Sequence, residues 1–132
     1  EALRLRGMCL VHKENYPMAI EDFKSAKKID KAYVSEPLLN KNLAYSYLKL
    51  NDPVHALDCS NQILQMDQKN PDALLYKGIA LYQQNKMNDA MDAFKEAFLT
   101  GSFSKKAIKN NSLLGSLLKN SEFNTICNQY LH

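Results

Sequence analysis

The sequence has few of the residues that interrupt helices. Among 132 residues there are four glycines, four prolines and no tryptophan. None of the prolines falls where it must break the interior of a helix, which favours an all-helical chain. Its histidines are scattered, and no glycine-rich phosphate loop, nucleophile elbow or zinc-protease motif is present. We therefore expect no catalytic site, no cofactor and no enzyme activity in these residues.

Cysteine and net charge are also low. Cys9, Cys59 and Cys127 are odd in number and have no framework spacing, which indicates reduced thiols and a cytoplasmic or nuclear location. Cys9 and His12 lie three residues apart on one predicted helix, but further ligands are missing, so we expect no metal site. The net charge of +3 does not demand nucleic acid and does not exclude an acidic partner.

Long apolar runs are absent as well. No stretch approaches the roughly 20 apolar residues of a membrane-spanning helix, and no signal-peptide pattern opens the chain. The hydrophobic fraction of 45% and the charged fraction of 23% are typical of one soluble globular domain. Because the chain begins inside a helical pattern, at residues 1–4, we expect it to be a fragment of a longer protein.

A pattern of two helices recurs along the chain. Residues 70–97 show it most clearly: apolar residues at helical spacing, a turn, and a second such segment, which predict an αα-hairpin. A small residue marks the first helix of each copy, and an alanine follows it twelve residues later. The small residues are Gly7, Ala44 and Gly78, and the alanines are Ala19, Ala56 and Ala90.

One such hairpin cannot bury its apolar face alone, so copies are expected to stack. We predict an all-α fold, an antiparallel helix-hairpin solenoid with three repeats at about residues 1–33, 37–70 and 71–104. A divergent fourth repeat or capping hairpin is expected at residues 105–132. Four polar residues, each one or two positions before a proline, are predicted N-caps: Asn15, Ser35, Asp52 and Asn70.

The spacing of Ala44 and Gly78, 34 residues, and the pattern of the second helix resemble the tetratricopeptide-repeat family. Residues 42–50, NLAYSYLKL, and residues 56–59, ALDC, resemble its co-chaperone members, which include the large immunophilins. The resemblance implies a superhelix whose concave groove binds a peptide or helix of a partner protein. Many co-chaperone members hold the acidic C-terminal tail of a heat-shock chaperone there with a clamp of Lys, Arg and Asn.

Two of the five clamp positions carry the expected type of residue, namely Arg4 and Asn42. The other three hold Met8, Asp72 and Tyr76 in place of asparagine, lysine and arginine. Asp72 would repel an acidic tail, and a tyrosine donates only one neutral hydrogen bond. We expect the groove to prefer a more apolar peptide or helix, and recognition of the chaperone tail is the alternative.

We predict that partner-binding residues lie on the first helix of each repeat. Tyrosine and methionine on such a face suit protein recognition because they supply contact area and an adaptable polar or soft atom. An RNA-binding repeat using Lys105, Lys106, Lys109 and Lys119 is a further alternative, and self-association through an outer face is another. The predicted contact set is Arg4, Met8, Lys41, Asn42, Tyr45, Asp72, Tyr76 and Ile79.

Overall fold

The structure is a computed structural model that describes residues 1–34 and 36–132. Within these residues all regular structure is helical, as predicted, and no helix is both long and apolar enough to cross a membrane. The α-helices are α1 (Ala2–His12), α2 (Tyr16–Ile29), α3 (Pro37–Lys49), α4 (Pro53–Met66), α5 (Pro71–Gln83), α6 (Met87–Leu99), α7 (Lys105–Lys109) and α8 (Ser121–Tyr130).

Polar caps and prolines start the helices where the sequence indicated. Asp52 accepts a hydrogen bond from the His55 amide at 3.3 Å, and Asn70 accepts one from the Ala73 amide at 3.0 Å. Asn15 occupies the N-cap position of α2 without such a bond, and its side-chain amide donates to the Met18 sulfur at 3.2 Å instead. The predicted cap Ser35 lies outside the described residues.

Three helix pairs, α1–α2, α3–α4 and α5–α6, are hairpins that stack in chain order. Between hairpins, α2 packs on α3 and α4 packs on α5. The alanine in the second helix of each hairpin has no exposed surface, which places it at the closest contact between elements. These alanines are Ala19, Ala56 and Ala90.

The small residue of each first helix is matched to the side chain that faces it. A Cβ atom at Gly7 would lie 2.7 Å from the Phe23 ring, and one at Gly78 would lie 2.6 Å from the Phe94 ring. Neither distance can be accommodated without a shift, so these two helix interiors need glycine despite its low helix propensity.

The C-terminal region departs from the hairpin pattern. The five-residue α7 and two 3₁₀ helices, Ser112–Leu114 and Leu117–Lys119, precede α8, which packs on α6. Phe123 is fully buried, with its ring edge-on to Phe94 at a centroid separation of 5.0 Å. The region covers the apolar end of the third hairpin with one helix and short turns.

Candidate functional site

A cleft of about 300 Å³ opens on the face lined by α1 and α3. Aromatic rings, amide and imidazole groups, and charges of both signs border it, and we call it the tyrosine cleft. It contains four of the predicted contact residues, Lys41, Asn42, Tyr45 and Tyr76. Its full lining is Val11, His12, Glu14, Tyr16, Lys41, Asn42, Tyr45 and Tyr76.

Three tyrosines from successive hairpins form a row in the cleft. The ring centroids of Tyr16 and Tyr45 are 6.0 Å apart with an edge-on geometry, and those of Tyr45 and Tyr76 are 6.5 Å apart. Tyr16 and Tyr45 are half-buried, whereas Tyr76 is only 8% exposed and supports Tyr45 from within the core. The accessible part of the row is therefore a platform of two rings.

The hydroxyl groups of Tyr16 and Tyr76 stay protonated at physiological pH. Burial raises the pKa of Tyr16 to about 12, with a further contribution from the neighbouring Tyr45. Burial likewise raises the pKa of Tyr76. A protonated phenol can donate a hydrogen bond to a ligand carbonyl as well as offer its ring.

An ion pair neutralises the charges at the edge of the cleft. Lys41 Nζ on α3 lies 2.9 Å from Asp72 Oδ2 on α5, and both side chains are about two-fifths exposed. A pair this exposed contributes little to stability. The consequence of the pair is local: Lys41 is bound to Asp72 and is therefore not available to an acidic ligand.

Arg4 and Met8 do not line the tyrosine cleft, and Arg4 is engaged by the chain itself. The Arg4 guanidinium donates to Glu1 at 2.9 Å and lies 3.8 Å from Glu36, and its central carbon is 6.0 Å from the centroid of the Tyr33 ring. The same guanidinium contacts the Met8 sulfur at 3.5 Å. Binding an external carboxylate at Arg4 requires competition with these carboxylates.

Asn42 and Ile79 have different surroundings. The Asn42 side-chain NH₂ group donates to the Leu38 carbonyl at 2.9 Å. The side-chain oxygen of Asn42 has no hydrogen-bond partner among the described residues. Ile79 is 1% exposed and belongs to the core. It forms the floor of a second cleft of about 530 Å³, which is shared with Tyr82 and with Leu113 of the C-terminal region.

The C-terminal region reaches the tyrosine cleft, which the sequence analysis did not anticipate. Ser112 Oγ lies 3.4 Å from the Tyr45 hydroxyl across 67 positions of the chain, so the 3₁₀ helix Ser112–Leu114 lies beside the second hairpin. Tyr16 and Glu14 were also missed. Both border the turn between α1 and α2, and only the folding of that turn brings them to the face of the first helices.

Residues 1–34 and 36–132 contain no group of three or more His, Cys, Asp or Glu side chains that could hold a metal ion. Burial raises the pKa of Cys59 to about 11 and also that of Cys127, which keeps both thiols protonated and weakly nucleophilic. The arrangement can make hydrogen bonds, ring contacts and apolar contacts with a ligand.

Residues 41–100 match the family model of the tetratricopeptide repeat. These residues belong to the tetratricopeptide-repeat family. The match covers the second and third hairpins, and the stacked helix pairs extend the same architecture to the first. A comparison with curated protein sequences finds no match for this domain.

Solved tetratricopeptide-repeat domains have the same fold. The first such domain of Spaghetti (RPAP3), bound to an HSP90 peptide, superposes with a TM-score of 0.68 at 18% identity, covering 94% of this chain and 89% of that one. The Sgt2 domain from Aspergillus fumigatus gives 0.67 at 17% identity, covering 97% and 76%. The second domain of human RPAP3, in complex with an HSP70 peptide, gives 0.62 at 23% identity, covering 97% and 91%.

Proposed function

We propose that this tetratricopeptide-repeat domain is a non-enzymatic interaction module that binds a peptide of a partner protein in the tyrosine cleft. The observation that carries the proposal is the row of tyrosines beside a free amide oxygen. Tyr16 and Tyr45 are half-buried and accessible, and Asn42 presents an unpaired acceptor next to them. Such a mixture of ring surface and a few hydrogen-bonding groups is typical of peptide sites.

The proposed contact set follows from accessibility. Lys41, Asn42 and Tyr45 line the tyrosine cleft with part of their surface exposed, and Tyr76 supports them. Arg4, Met8 and Asp72 lie at or beyond its edge, where they set the charge that a longer ligand meets. Ile79 belongs to the core and exposes only 1% of its surface.

A second candidate is recognition of an acidic chaperone tail, because two of the similar structures are described as bound to HSP90 and HSP70 peptides. Arg4 and Asn42 are the clamp residues that this domain retains. The pairing of Arg4 with Glu1 and of Lys41 with Asp72 opposes such a ligand. An acidic peptide with a free C-terminus that binds more tightly than roughly 50 µM, and loses binding when amidated, would establish this candidate.

The first candidate is tested with peptides selected from a random displayed library on the purified domain. Titration calorimetry of a selected peptide should show one site, and Asn42→Ala should weaken binding by about 1 kcal/mol through loss of the accepting oxygen. The thermal melt of Asn42→Ala should stay close to that of the parent because its amide bonds only its own helix.

The matched control is Asn128→Ala on α8, an exposed asparagine remote from the tyrosine cleft. Equal loss of binding in both variants would contradict the proposal. So would a library that yields no peptide whose binding is competed by the free, unlabelled domain.

A further inference from the structure

We infer that the tyrosine cleft recognises an arginine side chain of the bound peptide, through the Glu14 carboxylate, the Asn42 side-chain oxygen and the ring of Tyr16. The inference rests on the proposed function, because it names the group that the same site selects. It is carried by an unpaired carboxylate, an unpaired amide oxygen and an accessible aromatic ring, all in the lining of one cleft.

Glu14 places a negative charge in the cleft that the protein itself does not pair. The side chain is exposed, and no basic side chain of residues 1–34 and 36–132 forms an ion pair with it. Burial, then Tyr45, and then the charge of Glu14 raise the pKa of Tyr16, so this carboxylate acts near the Tyr16 hydroxyl. A cationic group of a ligand would therefore find its counter-charge beside the ring.

The backbone at Glu14 is in a conformation that disfavours glutamate. Its φ is 59°, and the matching turns of the second and third hairpins have asparagine there, Asn51 and Asn85, at 56° and 62°. Asparagine adopts this left-handed region more readily than glutamate. Of the three turns, the one that borders the tyrosine cleft is the one with the disfavoured residue, and strained residues are concentrated at binding sites.

The lysines near the cleft leave this position to a ligand. Lys41 is paired with Asp72 at 2.9 Å, so its charge is already balanced. The Lys49 nitrogen lies 5.7 Å from the centroid of the Tyr45 ring, a cation–π contact within the chain. The half-buried ring of Tyr16 has no such cation among the described residues.

The free groups of the cleft fit a guanidinium better than an ammonium or a carboxylate. Arginine has five N–H donors in one plane and no acceptor, so it can donate to a carboxylate and an amide oxygen while its flat face lies on an aromatic ring. Lysine is a compact point charge without a planar face. An acidic group would meet the like charge of Glu14 and leave the Asn42 oxygen without a donor.

The experiment titrates the isotope-labelled domain with three capped tripeptides and follows backbone amide shifts by NMR. The central residue is arginine, lysine or citrulline, the uncharged analogue of arginine, and alanine flanks it on both sides. The arginine peptide should shift the amides of residues 11–16 and 41–45 and bind about threefold more tightly than either of the others at low salt. Its advantage over citrulline should shrink at high salt, because an exposed charge pair is screened.

The outcomes separate the inference from the proposed function. A citrulline or lysine peptide that binds the cleft as tightly as the arginine peptide overturns the inference and leaves the proposed function standing. Arginine shifts that are absent, or confined to residues outside the cleft, also overturn the inference. The proposed function is then decided by the selected library peptides, which need not contain arginine.

Variants at Glu14 separate binding from stability. Glu14→Gln should weaken binding of the arginine peptide by about threefold and leave the citrulline peptide nearly unchanged. Glu14→Asn should weaken it similarly while the thermal melt rises, because asparagine suits the turn. Glu122→Gln on α8 is the matched control, an exposed glutamate outside the cleft lining, and should bind as the parent does. Equal affinities in Glu14→Gln and Glu122→Gln would exclude Glu14 as the counter-charge.

The ring and the amide oxygen are tested separately. Tyr16→Leu keeps an apolar side chain but removes the aromatic face, so the arginine peptide should bind about threefold more weakly. Asn42→Ala should weaken the arginine and citrulline peptides alike, since both carry side-chain N–H donors. If Tyr16→Leu fails to fold, Asn42→Ala still decides, because an unchanged affinity there would exclude the shared acceptor.

Discussion

The first and second hairpins use different residues at the contact between their two helices. At matched positions the first has Gly7 against Phe23, and the second has Ala44 and Ser60. Ser60 is fully buried and donates its hydroxyl to the Ala56 carbonyl at 3.0 Å, which satisfies it within its own helix. The sizes of the two partners change together, from glycine with phenylalanine to alanine with serine.

The same two hairpins differ in charge. Arg6 donates to both carboxylate oxygens of Asp22 at 2.7 Å, and the matched positions in the second hairpin hold the buried Leu43 and Cys59. The Arg6 side chain is 63% exposed, whereas Leu43 is buried on α3, the helix on which α2 packs. The surroundings of each helix, more than the repeat pattern, decide whether a charge is tolerated there.

The largest expected effect comes from giving the third hairpin the residues of the second. Phe94→Ser should reduce the free energy of unfolding by about 3–5 kcal/mol, because a fully buried ring that contacts Phe98 and Phe123 is lost. Gly78→Ala alone should cost about 1–3 kcal/mol through overpacking against Phe94. Denaturant unfolding measures both.

The decisive result is the double variant. In the Phe94→Ser background, Gly78→Ala should become stabilising by up to about 1 kcal/mol, since alanine regains helix propensity once the ring is gone. Gly115→Ala is the control, because nothing lies within 4 Å of a Cβ atom there. Additive effects of the two substitutions would contradict the matching of sizes.

An intermediate effect concerns the ion pair that only the first hairpin has. The hydrogen bonds from Arg6 lower the pKa of Asp22 below its ordinary value, against the opposing effect of burial. A carboxyl with a lower pKa in the folded state stabilises the fold above the unfolded pKa of about 3.9, and this stability is lost as the pH falls through the folded pKa. Arg6→Ala should therefore reduce the free energy of unfolding more at pH 7 than at pH 3, because the parent itself loses the stabilisation from this ion pair as Asp22 is protonated.

The double variant Arg6→Leu/Asp22→Cys gives the first hairpin the residues of the second. It should retain the fold at neutral pH and lose the part of the acid dependence that comes from Asp22. Urea unfolding at pH 7 and at pH 3 compares it with the parent under reducing conditions. An unchanged difference between the two pH values would show that Asp22 does not contribute to it.

The smallest expected effect lies in the turn inside each hairpin. The residue seven positions after the small residue has a positive φ in all three, 59° at Glu14, 56° at Asn51 and 62° at Asn85. Asparagine adopts this conformation more readily than glutamate. Glu14→Asn should raise the free energy of unfolding by roughly 0.5 kcal/mol, and Asn51→Glu should lower it by a similar amount. Thermal melts that show the same sign for both would contradict this explanation.

Sequence reasoning succeeded where contacts are local or repeated. The spacing of Gly7, Ala44 and Gly78 predicted the stacked hairpins, and Asp52 and Asn70 predicted helix starts that the hydrogen bonds confirm. It was less successful at Asn15, whose side chain bonds a sulfur instead of the helix amide. Caps depend on one rotamer, whereas a repeat pattern is supported by many residues at once.

At the candidate site, helical periodicity predicts which residues share a face but not which of them are buried or contacted by distant residues. A position next to a small residue identified Tyr45 and Asn42 as facing the groove, because helical periodicity alone determines which residues share a face. It did not indicate that Tyr76 would be largely buried or that Ser112 would approach Tyr45 across 67 positions. The C-terminal region has no repeat pattern from which its path could be inferred.

By itself the sequence determined the helical class and the three hairpins, since these depend on residue type and on regular spacing along the chain. Tertiary structure alone decided which charges are free. Lys41 binds Asp72, and Arg4 approaches Glu36, because the first helices of adjacent hairpins come together. Side chains far apart or irregularly spaced in the chain meet only once the stack has formed, so their pairing leaves no periodic signal.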